Sequence, residues 1–286
     1  MHDIGIVYAK VADVETYLEK LVLSDPLRDP TILQAIRALE LPEGSRGLDA
    51  GCGVGSQTLM LAEAVGTSGH VTGLDASAEF LAHARGLAEQ SDLSEQVSFR
   101  QGNVNELPLD DNTFDWAWSV YCVGQSTVGE PLTALQELAR VVRPGGRVAI
   151  LGYSSQMLLP GYPLLEARLN ATASATTFLA KGEKPEAHFL RALGWFREAG
   201  FAEPKARTVV GTVHAPLDDT IRRALISLFG MLWGEMQFKM AQADREEYQR
   251  LADPESADFI LDSPDYYAFF NYSMFEGRVS PPTDCW

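Results

Sequence analysis

Residues 48–55 have the sequence LDAGCGVG, in which a short apolar strand runs directly into a glycine-rich turn. The glycines of the turn are Gly51, Gly53 and Gly55. Glycine adopts positive φ angles and, because it lacks Cβ, lets a ligand approach the backbone. A helix is predicted from Ser56 to Val65, and its first N–H groups can bind an anionic or polar group. This sequence therefore predicts a ligand-binding turn between a strand and a helix.

Short apolar strands alternate with amphipathic helices on the C-terminal side of the turn. Seven strands are predicted: Gly47–Ala50, Val71–Leu74, Val97–Arg100, Phe114–Val120, Arg147–Leu151, Thr208–Val213 and Tyr267–Val279, the last as an edge strand. Ser77 is a predicted N-cap, and Pro131 is the predicted first residue of a helix. Such alternation is typical of a doubly wound, mostly parallel sheet. The predicted fold class is therefore α/β and Rossmann-like.

Helical sequence surrounds this alternation. Residues 1–44 are predicted to form an N-terminal helical segment, and residues 45–286 the domain that carries the turn. Within that domain, helical insertions are predicted at about 154–186 and 217–262. Helices inserted late in an α/β chain can cover a substrate, so we expect them to form a cap.

Composition and charge exclude several classes of protein. The 286 residues are 46% hydrophobic and 22% charged, which is typical of a globular chain. The formal net charge is −16, from 23 Lys and Arg against 39 Asp and Glu. An acidic chain repels polyanions, so a nucleic acid is disfavoured as a partner.

Cysteine usage and hydropathy indicate a reduced, cytoplasmic protein. The cysteines Cys52, Cys122 and Cys285 form no CxxC pair, which argues against a disulfide framework and a structural zinc site. The histidines have no ligand-like spacing, so no metal is expected. The N-terminus lacks signal-peptide features, and no apolar run approaches the roughly 20 residues that span a bilayer. We therefore expect no stable membrane anchor.

An acidic residue completes the pattern of a nucleotide site. Asp75 ends the second strand, 20 residues after Gly55, where a carboxylate can accept hydrogen bonds from both ribose hydroxyls. An adenosine-containing ligand is therefore predicted. A nicotinamide cofactor remains an alternative, although its fingerprint is G-x-G-x-x-G and Ser56 follows Gly55 here.

Four motifs, in order, resemble those of the class I S-adenosylmethionine-dependent methyltransferases. They are LDAGCGVG at 48–55, GLDAS at 73–77, GNVNELP at 102–108 followed by Phe114-Asp115, and RPGG at 143–146. The resemblance covers residues 47–152, over a third of the chain. Among the subfamilies, the chain is most similar to the small-molecule enzymes that include the ubiquinone and menaquinone biosynthesis methyltransferases.

The resemblance implies S-adenosylmethionine as the cofactor and assigns residues to its methionine part. Gly51, Gly53 and the backbone around Cys52 would face that part of the cofactor. Asp49 would hold the turn and reach the cofactor's amino group.

The resemblance also assigns residues to the adenosine part. Asp75 would accept hydrogen bonds from the ribose hydroxyls, Ala76 would pack beside the adenine, and Asn103 and Val104 would lie at its edge. Many relatives carry Asp where Asn103 stands, but an amide can both donate and accept. Ser119, near the end of the fourth strand, would lie close to the sulfonium.

Methyl transfer from a sulfonium is a direct displacement with a neutral leaving group, so the protein mainly supplies alignment and a dry site. No catalytic triad is expected, and the catalytic residues stay unknown. The candidates for a base or a polar contact are His214, Tyr121 and Tyr153. Tyr8, Tyr121 and Tyr153 are the predicted substrate contacts. Of these, Tyr121 and Tyr153 end predicted strands, where open α/β sheets bind ligands.

The predicted function is S-adenosylmethionine-dependent methyl transfer to a small, apolar or aromatic molecule at carbon, oxygen or nitrogen. Two alternatives stay open: an NAD-dependent oxidoreductase, and a non-catalytic protein that binds S-adenosylmethionine. The sequence identifies neither the acceptor nor the oligomeric state.

Overall fold

A computed structural model describes residues 14–124, 128–172, 185–234 and 240–281 of the chain. Its strands are β1 (Arg46–Ala50), β2 (His70–Asp75), β3 (Val97–Gln101), β4 (Phe114–Val120), β5 (Val142–Met157), β6 (Ala202–His214) and β7 (Tyr267–Arg278). They form one sheet in the order β3-β2-β1-β4-β5-β7-β6. Strands β1 to β5 are parallel, and β7 is antiparallel to both β5 and β6. The predicted α/β, doubly wound, mostly parallel sheet of seven strands is confirmed.

Helices cover both faces of the sheet. They are α1 (Val14–Ala38), α2 (Ser56–Val65), α3 (Ala78–Glu89), α4 (Pro131–Val141), α5 (Pro163–Thr172), α6 (Ala192–Glu198), α7 (Asp219–Trp233) and α8 (Gln242–Ala252). Buried residues of α1, α2, α5, α7 and α8 join one core cluster, and those of α4 and α6 join a second. Within the described part of the chain, no helix combines the length and the apolar character needed to cross a membrane.

Strand β7 lies between β5 and β6, so the prediction that it forms an edge strand is wrong. Its side chains are buried on both faces: Phe270 and Tyr272 join the cluster that contains α1, and Phe275 joins the other. Burial on both faces is typical of an interior strand. The edge position belongs to β6, in which Val210 is 47% exposed.

The two central strands approach each other closely at a glycine. Gly47 of β1 pairs with Trp116 of β4, and a Cβ at Gly47 would lie 2.0 Å from the indole ring. The indole Nε1 donates to Ser45 Oγ at 2.9 Å, which fixes the ring over the glycine. This packing sets the spacing between the strands whose carboxyl ends carry the candidate site.

Substitution of Gly47 by alanine is expected to lower the free energy of unfolding by about 1–3 kcal/mol or more, because the new methyl group would overlap the Trp116 ring. Gly86→Ala is the matched control. Gly86 lies inside α3, and no neighbouring atom lies within 4 Å of where its Cβ would be. There, alanine is expected to raise the free energy of unfolding by about 0.5–1 kcal/mol. Equal denaturant midpoints for the two variants would contradict this packing.

Candidate functional site

The glycine-rich turn between β1 and α2 is held against the end of β2. The backbone N–H groups of Gly51 and Cys52 both donate to Leu74 O, at 2.7 and 3.0 Å. Gly51 has a φ of 79°, and a Cβ there would lie 2.7 Å from the Cβ of Cys122. Glycine is therefore required at 51, both by the backbone angle and by the segment that follows β4.

Asp75, the last residue of β2, joins the turn to the start of α3. Its Oδ2 accepts a hydrogen bond from Gly53 N and its Oδ1 accepts one from Ser77 N, each at 2.9 Å. Burial raises the pKa of Asp75, while these amide donors lower it. A carboxylate has about four acceptor sites, so both oxygens keep the capacity to bind a ligand.

A second buried carboxyl group lies at the end of β1. Asp49 is 1% exposed and accepts a hydrogen bond from Thr58 Oγ1 at 2.7 Å. Burial raises the pKa of Asp49 to about 7; the Thr58 hydroxyl opposes this rise, and the charge of Asp75 adds to it. Two acids beside one turn favour a ligand that carries a positive group.

The predicted adenine contacts lie where β2 and β3 end. Asn103 Oδ1 accepts hydrogen bonds from Asn105 N at 3.0 Å and Asn105 Nδ2 at 3.2 Å, so this oxygen is engaged within its own turn. Val104 is buried and Ala76 is half-buried. Gly102 N donates to Asp75 O at 3.0 Å, which ties this turn to the end of β2.

The thiols of Cys52 and Cys122, beside the turn, are poor nucleophiles. Burial raises the pKa of Cys122 to about 12. Burial also raises the pKa of Cys52, and the charges of Asp49 and Asp75 raise it further. Since the thiolate is the nucleophile of a cysteine, neither side chain is poised for nucleophilic attack.

Three tyrosines meet on the other side of the turn, where β4, β5 and β7 lie side by side. Tyr121 directly follows β4, and its hydroxyl donates to that of Tyr272 at 2.8 Å. The ring of Tyr153 stands edge-on to Tyr272, with centroids 5.5 Å apart. Tyr121 has a φ of 54°, a left-handed conformation that is costly for a bulky side chain. Strain of this kind often marks a functional position.

The structure brings Tyr121 and Tyr153 together but places His214 elsewhere. His214 ends β6, which lies three strands from β4, or about 14 Å at the usual strand spacing. It lines a separate cavity of about 360 Å³ together with Asp218 and residues of α1. Ser119 is buried near the end of β4. Tyr8 lies outside the described residues.

A group of charges on α1 was missed by the sequence prediction. Arg28 pairs with Asp25 and donates to Leu21 O at 3.2 Å. Its charge lies within electrostatic reach of the hydroxyls of Tyr121 and Tyr272. The available signal was SDPLRDP at 24–30, in which charged residues and two prolines lie within a predicted helical segment.

Comparison with known proteins identifies the family. A family model described as a methyltransferase domain matches residues 48–146. The demethylmenaquinone methyltransferase of Bacillus subtilis (strain 168) is 30% identical over 196 residues, which cover 64% of this chain and 82% of that protein. The chain belongs to the class I S-adenosylmethionine-dependent methyltransferases of the menaquinone and ubiquinone type. The predicted resemblance is confirmed.

Other members of this methyltransferase family align over a shorter region. The demethylmenaquinone methyltransferase of Bacillus licheniformis is 40% identical over 119 residues, or 41% of this chain and 49% of that protein. The chain thus spans about half the length of the relatives that it matches at the highest identity. In fold, it is similar to the YcgJ protein from Bacillus subtilis, with a TM-score of 0.53 and 19% identity over 88% of this chain and 99% of that one.

S-adenosylmethionine is the cofactor of this methyltransferase family, and the observed turn fits it. Asp75 is fixed by two backbone donors and keeps acceptor sites for a ribose. Nothing lies within 4 Å of where a Cβ of Gly53 would be, so a ligand can approach that backbone. Asp49 offers a carboxyl group for a cationic amino group.

The raised pKa of Asp49 predicts a pH-dependent stability. The folded protein holds the Asp49 proton up to about pH 7, whereas the unfolded chain loses it near the ordinary aspartate pKa of 3.8. Ionisation in the unfolded state therefore lowers the stability of the wild type relative to Asp49→Asn as the pH rises between these values. Denaturant unfolding of both proteins across this range measures the difference. Asp92→Asn, at an exposed position, is the control. A difference between wild type and Asp49→Asn that stays constant with pH would contradict the buried, protonated carboxyl group.

Proposed function

We propose that the protein transfers the methyl group of S-adenosylmethionine to a small, aromatic, quinone-like molecule. The observation that carries this proposal is the position of Asp75 and of the tyrosine group, which consists of Tyr121, Tyr153 and Tyr272. They lie on two sides of the glycine-rich turn, at the carboxyl edge of the sheet. Open α/β sheets bind their ligands at this edge. The aromatic acceptor is supported by the tyrosine rings and by the relatives, which are demethylmenaquinone methyltransferases.

In this proposal, the residues at the ends of β1, β2 and β3 bind the cofactor. Asp75 accepts hydrogen bonds from the ribose hydroxyls, and Asp49 pairs with the amino group. Gly51, Cys52 and Gly53 present their backbone to the methionine part. Burial of both carboxyl groups makes these contacts strong, because water competes poorly for them.

The adenine and the sulfonium have their own proposed contacts. Ala76 and Val104 pack against the adenine, and the Asn103 amide lies at its edge. Ser119 lies near the sulfonium, and its hydroxyl is buried beside Cys122. When bound, the cofactor supplies an electrophilic methyl group with a neutral leaving group.

The chain's contribution to the reaction is then orientation and exclusion of water. Tyr121, directly after β4, and Tyr153, within β5, contact the acceptor. We include in the proposal that the described helices of the predicted insertions at about 154–186 and 217–262, which are α5, α7 and α8, form a cap over the acceptor beside α1. In support, α1, α5, α7 and α8 belong to one core cluster with Tyr153. His214 and Tyr8 carry no assigned role in this proposal.

Incubation with S-adenosylmethionine and 1,4-naphthohydroquinone tests the activity. We expect S-adenosylhomocysteine and a product that is one methyl group heavier, in equal amounts, by mass spectrometry. The oxidised naphthoquinone is the control and should yield no product, because its ring is a poor nucleophile. Cofactor binding without methylation of naphthohydroquinone, catechol or simple phenols would contradict the proposed activity and favour a non-catalytic binding protein.

Asp75→Ala tests the proposed ribose contact. Loss of a buried hydrogen bond to a charged group costs about 1–3 kcal/mol, so affinity for S-adenosylhomocysteine should fall about 5- to 150-fold. Asp92→Ala, at an exposed position beyond α3, should bind as the wild type does. If a folded Asp75→Ala protein keeps its affinity, the ribose assignment is wrong.

A further inference from the structure

Helix α1 carries buried polar atoms within electrostatic reach of Tyr121 and Tyr272. Arg28 Nε, Asp29 Oδ1 and the Tyr153 hydroxyl are buried, and each has no hydrogen-bond partner among the described residues. Tyr153 as a whole is only 8% exposed. Buried polar atoms are nearly always satisfied in folded proteins. Arg28 and Asp29 are adjacent on α1, and their charges act on Tyr272, against which the Tyr153 ring packs. Unsatisfied polar atoms that are linked in this way through Tyr272 point to a polar ligand.

This group lies between the cofactor turn and the acceptor side of the site. On one side, Asp25 contacts Ser56, the first residue of α2 after the glycine-rich turn. On the other side, the charge of Arg28 lies within electrostatic reach of the hydroxyls of Tyr121 and Tyr272. A molecule bound against these hydroxyls is adjacent to the turn that the cofactor occupies.

Among the charged side chains of this group, Arg28 is the cation that can bind an anion. Arg28 pairs with Asp25, but Nε makes no hydrogen bond in the described structure. Burial raises the pKa of Asp29 to about 7, the charge of Asp25 raises it further, and Arg28 lowers it. Asp29 is therefore partly protonated near pH 7, which lessens its competition for the guanidinium.

The other titratable groups that face this cluster come from several parts of the fold. Burial, Tyr272, Glu166 of α5 and Tyr266, which directly precedes β7, raise the pKa of Tyr153. Tyr272 belongs to β7, and burial raises its pKa. Tyr121 follows β4, and burial and Tyr272 raise its pKa. His83 of α3 faces Asp25 and opposes the rise of that carboxyl pKa. Tyr121 and Tyr272 thus stay protonated at neutral pH. The Tyr121 hydroxyl donates its proton to Tyr272, so the Tyr272 proton is the one that can be donated to an anion.

We propose that Arg28, Tyr153 and Tyr272 bind an ionised oxygen of the methyl acceptor, so that the enzyme selects acceptors with an acidic enol or phenol hydroxyl. This inference rests on the proposed methyl transfer and adds the group that recognises the acceptor. A guanidinium and two hydroxyls supply charge-assisted hydrogen bonds to an oxyanion, which are stronger than neutral ones.

The proton and the electrons have defined destinations. The acceptor hydroxyl gives its proton to the ionised form of Asp29, and the resulting anion stays paired with Arg28. The anion's electron pair forms the bond to the methyl carbon, while the pair of the broken carbon–sulfur bond stays on sulfur, so both products are neutral. Attack by oxygen gives a methyl ether. Attack by a conjugated ring carbon gives a ketone, whose carbon-bound proton returns to the oxygen.

Binding of two probes to the protein saturated with S-adenosylhomocysteine tests the inference. The probes are 2-hydroxy-1,4-naphthoquinone, which is an enolate at neutral pH, and 2-methoxy-1,4-naphthoquinone, which cannot ionise. The wild type should bind the enolate at least about tenfold more tightly, because only the enolate pairs with Arg28. In Arg28→Gln, the affinities should differ by less than about threefold, since the cation is gone.

Three further variants separate recognition from loss of structure. Arg37→Gln removes an exposed arginine of the same helix and should keep the preference. Asp29→Asn removes a negative charge and should keep or strengthen the preference for the enolate. If Arg28→Gln does not fold because Asp25 is left unpaired, Asp25→Asn/Arg28→Gln removes both charges and should abolish the preference.

Equal affinity of the wild type for the two probes would overturn the inference. So would a loss of preference in Arg37→Gln or in Asp29→Asn that is as large as the loss in Arg28→Gln. These outcomes are distinct from failure of the proposed function. If S-adenosylhomocysteine does not bind the wild type, the cofactor assignment fails first. If it binds and the probes are not distinguished, only the role of Arg28 is wrong.

Discussion

The two hydrogen bonds accepted by Asp75 hold the candidate site together. One comes from the glycine-rich turn after β1 and the other from the start of α3, so a single buried carboxylate joins two adjacent strand–helix units. The turn itself can follow this path only because Gly51 adopts a positive φ next to Cys122. The backbone that faces the cofactor is thus fixed before any ligand binds, which lowers the entropy lost on binding.

The acceptor side of the site is organised differently, by side chains that are costly to bury. Tyr121 is held in a left-handed conformation, and the buried Arg28–Asp25 pair of α1 leaves Arg28 Nε without a hydrogen bond in the described structure. Such features reduce stability unless a ligand or the surrounding packing compensates. Their concentration at one end of the sheet fits a functional role better than a structural one.

The sequence predicted the fold well where the signal was local. The bounds of β4, Phe114–Val120, agree with the structure, because a short apolar run between turn residues is a strong strand signal. The position of β7 inside the sheet was not predictable, since strand order depends on pairing between segments far apart in the chain. The Arg28 group was missed for the same reason: residues 28, 121, 153 and 272 meet only in the folded protein.

The central claim is that the turn anchored by Asp75 binds S-adenosylmethionine. Calorimetric titration of the wild-type protein with S-adenosylhomocysteine, with NADH titrated in parallel, tests it most directly. The structure and the family predict a saturable binding heat with S-adenosylhomocysteine and none with NADH. Binding of NADH alone would contradict the claim and favour an oxidoreductase on the same sheet.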